Sequence, residues 1–156
     1  MKKSAEVLYI AGKGGAGKTP TCNIIKDLLI KNDFTILEEK DLDNKDAIYL
    51  LNKANQHIVI CTASDTKSII EKLDNFLKEI FSNFNIKKLI LILAIRNGGD
   101  NMRSYLKEII STRVEVTDQL EIPLAKINGN SREEVYGWYR KSIDTLIEYI
   151  LLEKLL

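Results

Sequence analysis

The chain has 156 residues, a length that suits one domain of ordinary size. Hydrophobic residues make up 45%, enough for a real core, which excludes disorder as the main state. Its 23 basic and 22 acidic residues leave a net charge of +1, which excludes a wholesale polybasic nucleic-acid binder, and no apolar run approaches the ~18–20 residues of a membrane span. After Lys2 and Lys3 the apolar run is short and has no small-residue cleavage site, so no export signal is read. The two cysteines, Cys22 and Cys61, then read as reduced, buried thiols of a cytoplasmic protein.

Val7-Leu8-Tyr9-Ile10-Ala11 reads as a strand buried on both faces, ended by a glycine cluster at Gly12 to Gly17. Cys22, Ile25, Leu28 and Leu29 recur at helical spacing, which predicts a helix from about Lys18 to Lys31, broken at Asn32-Asp33. Phe34 to Leu37 is a second short strand. Glu38 to Asp46 is a dense charged stretch, and Asp46 to Ala54 reads as a short helix. Ile58 to Cys61 is a third buried strand. Asp65 to Phe84 is a long helix with Ile69, Leu73, Phe76, Leu77 and Ile80 on one face. Leu89 to Ile95 is the most hydrophobic strand and should be central. Met102 to Ile110 reads as a helix, and Thr112 to Gln119 as an edge strand or a loop. Ile122 to Ile127 is the last clear strand. Ser131 and Glu134 form a capping-box pattern ahead of a final helix that runs to about Lys154.

Strands alternate with helices, and Asn-Gly hairpin signals between alternating strands are absent. The expectation is one α/β domain over residues 1–156, with a five-stranded, mainly parallel sheet covered by helices on both faces. Its site should lie at the carboxyl rim of the strands.

Gly12-Lys13-Gly14-Gly15-Ala16-Gly17-Lys18-Thr19 fits G-x-x-x-x-G-K-[ST], with a buried strand before it and a helix after it. Glycines let the backbone curl so that successive N–H groups point at phosphate oxygens. The helix N-terminus adds unpaired donors and a favourable dipole. Lys18 brings charge to the β- and γ-phosphates, and the Thr19 hydroxyl is suited to bind magnesium. A chance match in a chain of this length is on the order of one in a hundred. The motif predicts binding of ATP or GTP with Mg2+.

Lys13-Gly14-Gly15-Ala16-Gly17-Lys18-Thr19 also resembles the deviant Walker A motif of the ParA/MinD/nitrogenase-iron-protein family of P-loop ATPases. The resemblance is specific over roughly residues 5–31 and extends weakly to Ile122-Pro123 and the helix beyond. It implies a three-layer P-loop fold with strand order 2-3-1-4-5. It also implies that Lys13 is a signature lysine, which reaches the partner's phosphates in a nucleotide-dependent homodimer. The chain is considerably shorter than most members of that family.

Three features depart from the family pattern. Pro20 stands where Thr or Ser usually helps hold the α-phosphate, and proline has no N–H to offer. Cys61 falls where the third strand usually ends in a magnesium-positioning Asp, and a thiol is a poor ligand for that hard ion. Asp65, four positions on, is a candidate metal group or else the cap of the next helix. Finally, acidic residues often follow the second strand in this family, and small P-loop kinases hold the acceptor with an Asp-x-Asp there. Asp41-Leu42-Asp43 has that spacing, which makes Asp41 a candidate catalytic group or part of a solvated loop.

Asn97-Gly98-Gly99-Asp100 follows the central strand and fits N-x-x-D. GTPases read guanine with such an Asp, and ParA-like ATPases read adenine with an Asn near there. Asn97 and Asp100 are therefore base-pocket candidates, with a turn and helix cap as the alternative. Arg96 stands at the same strand end. His57 reads as a hydrogen-bonded structural residue. Val135, Trp138, Ser142, Leu146 and Tyr149 share helical spacing, which places part of that set in the core.

Three readings of function stand at this point. The first is magnesium-dependent nucleotide binding with slow hydrolysis, acting as a dimerisation or conformational switch with a possible protein partner. The second is a small P-loop kinase using Asp41 or Asp43 for the acceptor and Arg96 for charge. The third is a degenerate, non-catalytic scaffold.

Overall fold

In the computed structural model, residues 2–97, 101–127, 129 and 132–156 are described. Six strands form one sheet: β1 (Lys3–Gly12), β2 (Thr35–Asp41), β3 (Ala47–Lys53), β4 (Gln56–Cys61), β5 (Lys88–Arg96) and β6 (Val114–Pro123). Four α-helices are described: α1 (Lys18–Lys31), α2 (Lys67–Asn83), α3 (Asn101–Arg113) and α4 (Arg132–Tyr149). A short 3-10 turn spans Asp43–Lys45, and α4 continues as a π-helical segment over Ile150–Leu155. No helix among the described residues is long and apolar enough to cross a membrane.

The strand order is β2-β3-β4-β5-β1-β6. The α/β class and the helices on both faces agree with the sequence. The five-strand order 2-3-1-4-5 does not. β5 inserts between β4 and β1, so Leu91 sits in register with both Val59 and Val7. Seven consecutive residues of β5 are buried, a run that only a strand with neighbours on both sides and helices over both faces can carry.

The sixth strand comes from the segment read as a helix over Asp46 to Ala54. Residues 47–51 are all buried, so the apolar run faces both layers. Periodicity alone does not separate such a strand from a short buried helix. β3 runs antiparallel to both β2 and β4. Its hairpin to β4 turns at Ala54, which takes a left-handed φ of 52°. An alanine in that role leaves no Asn-Gly signal to read. β2 runs on to Asp41, so part of the charged stretch is edge strand, with Glu38 and Glu39 exposed on it.

Side chains alternate across the sheet into two cores. Tyr9, Ala11, Val59, Cys61 and Leu91 meet α2 and α3 on one face, through Ile70, Leu73, Leu77, Leu106 and Ile110. Leu8, Ile10, Ile58, Ile60 and Ile92 meet α1 and the chain's final helix on the other, through Cys22, Ile25, Leu29, Ile147 and Leu151. The N-cap of α2 is Thr66, whose hydroxyl accepts from the Ile69 N–H at 3.3 Å, so the helix starts beyond Asp65. Thr112 to Gln119 resolves as helix end and strand: β6 is continuous from Val114 to Pro123, with an irregular register opposite Ala5 and Glu6. It ends at Pro123, short of the expected Ile127.

The spacing of Val135, Trp138, Ser142, Leu146 and Tyr149 marks the outer face of α4. Trp138 is 71% exposed and the other four are exposed as well. The core side of that helix is carried by Ile143 and Ile147. The expected cap at Ser131 lies outside the described residues.

Leu73 lies in the α2 stripe and is fully buried, so Leu73→Ala removes apolar contact and opens a cavity. The expected loss is about 2–5 kcal/mol in urea unfolding, against about 0.5 kcal/mol or less for Glu71→Ala on the solvent face. Equal effects at the two positions would contradict the orientation of α2.

Candidate functional site

Parallel strands β4, β5, β1 and β6 all end on one rim of the sheet. The antiparallel pairing turns β3 around, so its first residues stand on the same rim: Ile48 pairs with Cys61 and Ala47 with Asp41. The turn from Asp41 to Asp46 is therefore delivered beside the glycine-rich loop. The helix after β1 packs on one face and the helix after β5 on the other, which opens a crevice between neighbouring strand ends.

The loop has the curled form its glycines permit. The Ala16 N–H donates to the Lys13 carbonyl at 3.0 Å. A Cβ on Gly12 would stand 2.9 Å from the Ala16 Cβ, closer than two such atoms pack. Gly17 is the N-cap of α1 at φ 93°, a conformation that a residue with a Cβ rarely takes. The start of α1 carries no side-chain cap and no acidic residue in its first turn, so its N–H donors and dipole face the cleft unopposed. The Lys18 ammonium donates to the Gly12 carbonyl at 3.0 Å, which folds the side chain back over the loop.

Thr19 leads to the residue that sequence reading missed. Its hydroxyl donates to Asp46 Oδ1 at 2.9 Å and lies 3.3 Å from the Thr62 carbonyl. The Thr62 hydroxyl donates to the same Asp46 Oδ1 at 2.8 Å and accepts from the Ala47 N–H at 3.0 Å. One carboxylate oxygen thus joins the loop helix, the start of β3 and the residue after β4. The available signal was an acidic residue directly ahead of a buried apolar run, and reading that run as a helix hid it.

Gly14, Gly15, Gly17, Lys18 and Thr19 line a cleft of about 560 Å³ together with Asp43, Asp46, Thr62, Asp65 and Tyr136. That size accommodates a small-molecule ligand. Gly12 lies buried beneath the loop and Ala16 is buried within it. The Lys13 side chain is exposed, outside this lining. Asp41 is exposed at the end of β2, whereas Asp43 reaches the cleft. Asp65 also lines the cleft, and its Oδ2 is 3.5 Å from Arg96 Nε, so the arginine of the kinase reading has a carboxylate beside it. Asn97 is exposed and its N–H approaches the Gly12 carbonyl at 3.4 Å, beside the loop but outside the cleft lining. Asp100 lies outside the described residues. His57 is buried in β4, and its Nδ1 has no hydrogen-bond partner.

Cys61 shows why the expected strand-end carboxylate is not at this position. Alternation along β4 sends its side chain into the α2–α3 core, where it is fully buried and donates to the Ala63 carbonyl at 2.7 Å. The next residue, Thr62, is the one that meets Thr19. The oxygens around Thr19 are hydroxyl, carboxylate and carbonyl, a hard donor set suited to magnesium. Among the described residues no group of three or more His, Cys, Asp or Glu side chains is placed to hold a metal.

Comparison of the chain with protein-family models, with curated proteins and with solved structures finds no match.

Burial pushes the Cys61 thiol up from 9.0 to about 12, and the charges of Asp46 and Asp65 act in the same direction. The folded state holds this proton after the unfolded chain has lost it. The resulting stability is complete below about pH 9 and is lost as pH rises toward 12, by about 1.4 kcal/mol per unit. Urea unfolding of the parent should therefore lose more stability between pH 8 and 10.5 than that of Cys61→Ala. Parallel pH profiles would show that the thiol is not sealed in the core.

Proposed function

We propose that the chain binds a nucleoside triphosphate with magnesium at this cleft and hydrolyses it slowly, as a dimerisation or conformational switch of the ParA/MinD type. The observation that carries the reading is the hydrogen-bonded set Thr19–Asp46–Thr62 at the mouth of an uncapped helix that begins with the Gly-Lys-Thr motif. Anion donors and an oxygen-rich cation position lie side by side, as a phosphate–magnesium pair requires.

The α1 N–H groups and Lys18 bind the phosphates, with the Lys18 ammonium leaving the Gly12 carbonyl for a phosphate oxygen. Thr19 and Asp46 hold the metal, which when bound offsets charge on the β- and γ-phosphates. Asp46 takes the part that the family pattern gives to a strand-end Asp, and it does so from just ahead of β3. Asp65, which lines the same cleft, acts on the metal through water. Thr62 orients Asp46 by donating to the same oxygen that Thr19 uses. Catalysis here is electrostatic: fixed donors favour the charge that spreads over the transferring phosphoryl group as water attacks in line. In this reading the exposed Lys13 side chain, which does not line the cleft, serves a second copy's nucleotide. The kinase alternative keeps one supporting observation: Asp43 lines the cleft and offers a carboxylate to an acceptor hydroxyl. Phosphate transfer to an added acceptor, lost in Asp43→Ala, is its signature.

Thermal unfolding with magnesium and ATP, GTP, ADP or no nucleotide tests the reading. A ligand at a hundredfold excess over its Kd adds about 2.7 kcal/mol, a rise in Tm of roughly 4–10 °C for a domain of this size. The rise should vanish in Lys18→Ala. In Asp46→Asn it should persist in part but lose its dependence on magnesium. No shift with any nucleotide sinks both the switch and the kinase, and leaves a protein whose loop serves only as structure.

A further inference from the structure

Thr19 and Thr21 are two positions apart on α1, about 200° around the helix, so they leave its first turn on opposite sides. Thr19 turns toward Asp46 and Thr62. Thr21 turns toward α4, where its hydroxyl donates to the Gly17 carbonyl at 2.6 Å and accepts from Arg140 at 2.7 Å. Arg140 is clamped in turn: its Nε donates to Asp144 Oδ1 at 2.9 Å, one helical turn on, and its side chain is only 13% exposed. This fork fixes α4 against the nucleotide loop. A Cβ on Gly17 would stand 3.6 Å from the Arg140 guanidinium and 3.7 Å from the Tyr136 hydroxyl.

Tyr136, one turn before Arg140, is thereby held at the cleft, 39% exposed, and it is the one aromatic ring among the described residues that line it. Pro20 lines the cleft too and has no N–H. The Thr19 side of α1 carries oxygen groups, while α4 brings a half-exposed tyrosine ring to the same cleft. Arg140 is engaged with Thr21 and Asp144, and the neighbouring ring suits a flat, uncharged ring system.

Resting on the nucleotide reading above, we propose that Tyr136 is the platform on which the nucleobase stacks, and that Arg140 is the positioning residue that holds Tyr136 there through Thr21 and Asp144. The base is then gripped from α4, on the far side of α1 from Asp46. Stacking tolerates any base, so this contact supplies affinity for a nucleoside and leaves the choice between adenine and guanine to other groups.

Calorimetric titration with magnesium compares ATP with inorganic tripolyphosphate, which has the charge and no base. Tyr136→Ala should weaken ATP binding by roughly 5- to 150-fold and leave tripolyphosphate binding unchanged. Tyr136→Phe keeps the ring and should bind ATP like the parent. Arg140→Lys loses the fork and should weaken ATP alone. Added to Tyr136→Ala it should cost nothing more, because it acts through that ring. Equal losses for the two ligands in Tyr136→Ala, or no loss for either, overturn this proposal and leave the phosphate site standing. A parent that binds neither ligand overturns the nucleotide reading and this proposal with it.

Discussion

A single carboxylate oxygen carries the connection between the glycine-rich loop and the sheet. Asp46 Oδ1 accepts from Thr19 at the start of α1 and from Thr62 beyond β4, while Thr62 accepts in turn from the Ala47 N–H. The donors come from three separate stretches of chain, so the arrangement exists only when β3, β4 and β1 are all in place. An ionised carboxylate suits this role, because hydrogen bonds to a charged acceptor are shorter and roughly twice as strong as neutral ones.

That connection depends on strand direction. Had residues 46–54 formed a helix, Asp46 would have been one more charge in an exposed loop. As the first residue ahead of an antiparallel strand, it stands at the rim where the parallel strands end. The same geometry explains Cys61. A strand offers alternate residues to opposite faces, so only one of Cys61 and Thr62 can face the loop helix. Thr62 does, and Cys61 belongs to the core that covers α2 and α3.

The two sides of the loop helix meet different elements. On the side of β4 the contacts are oxygen to oxygen. On the side of α4 they are a clamped guanidinium and a tyrosine ring, held by the Arg140 fork. The connection from β6 into α4 is tied down as well: the Leu124 N–H donates to the Ala11 carbonyl at 2.7 Å, and the Ala125 N–H to the Tyr139 hydroxyl at 2.7 Å. The loop is thus walled by elements from both ends of the chain, and Gly12 has no room for a side chain between them.

Local physics determined much of this protein. The buried run of β1, the glycine curl, the 3.6-residue stripe of α1 and the continuous apolar β5 are contacts within short segments, so α1 reads from the sequence over the same Lys18–Lys31 that it occupies. The loop's curl is legible for the same reason: it is made by eight adjacent residues, Gly12 to Thr19. What only the tertiary structure decided is pairing. Whether Ala47–Leu51 becomes a strand, where β5 inserts, and which of two adjacent residues after β4 meets Thr19 all depend on partners distant in sequence. So does the outer face of α4, where Trp138 has the spacing of a core residue and none of its burial. Hydrophobic pattern states that a face will be covered, but it does not state by what; that choice is made by long-range contacts and cannot be read from a single stretch of chain.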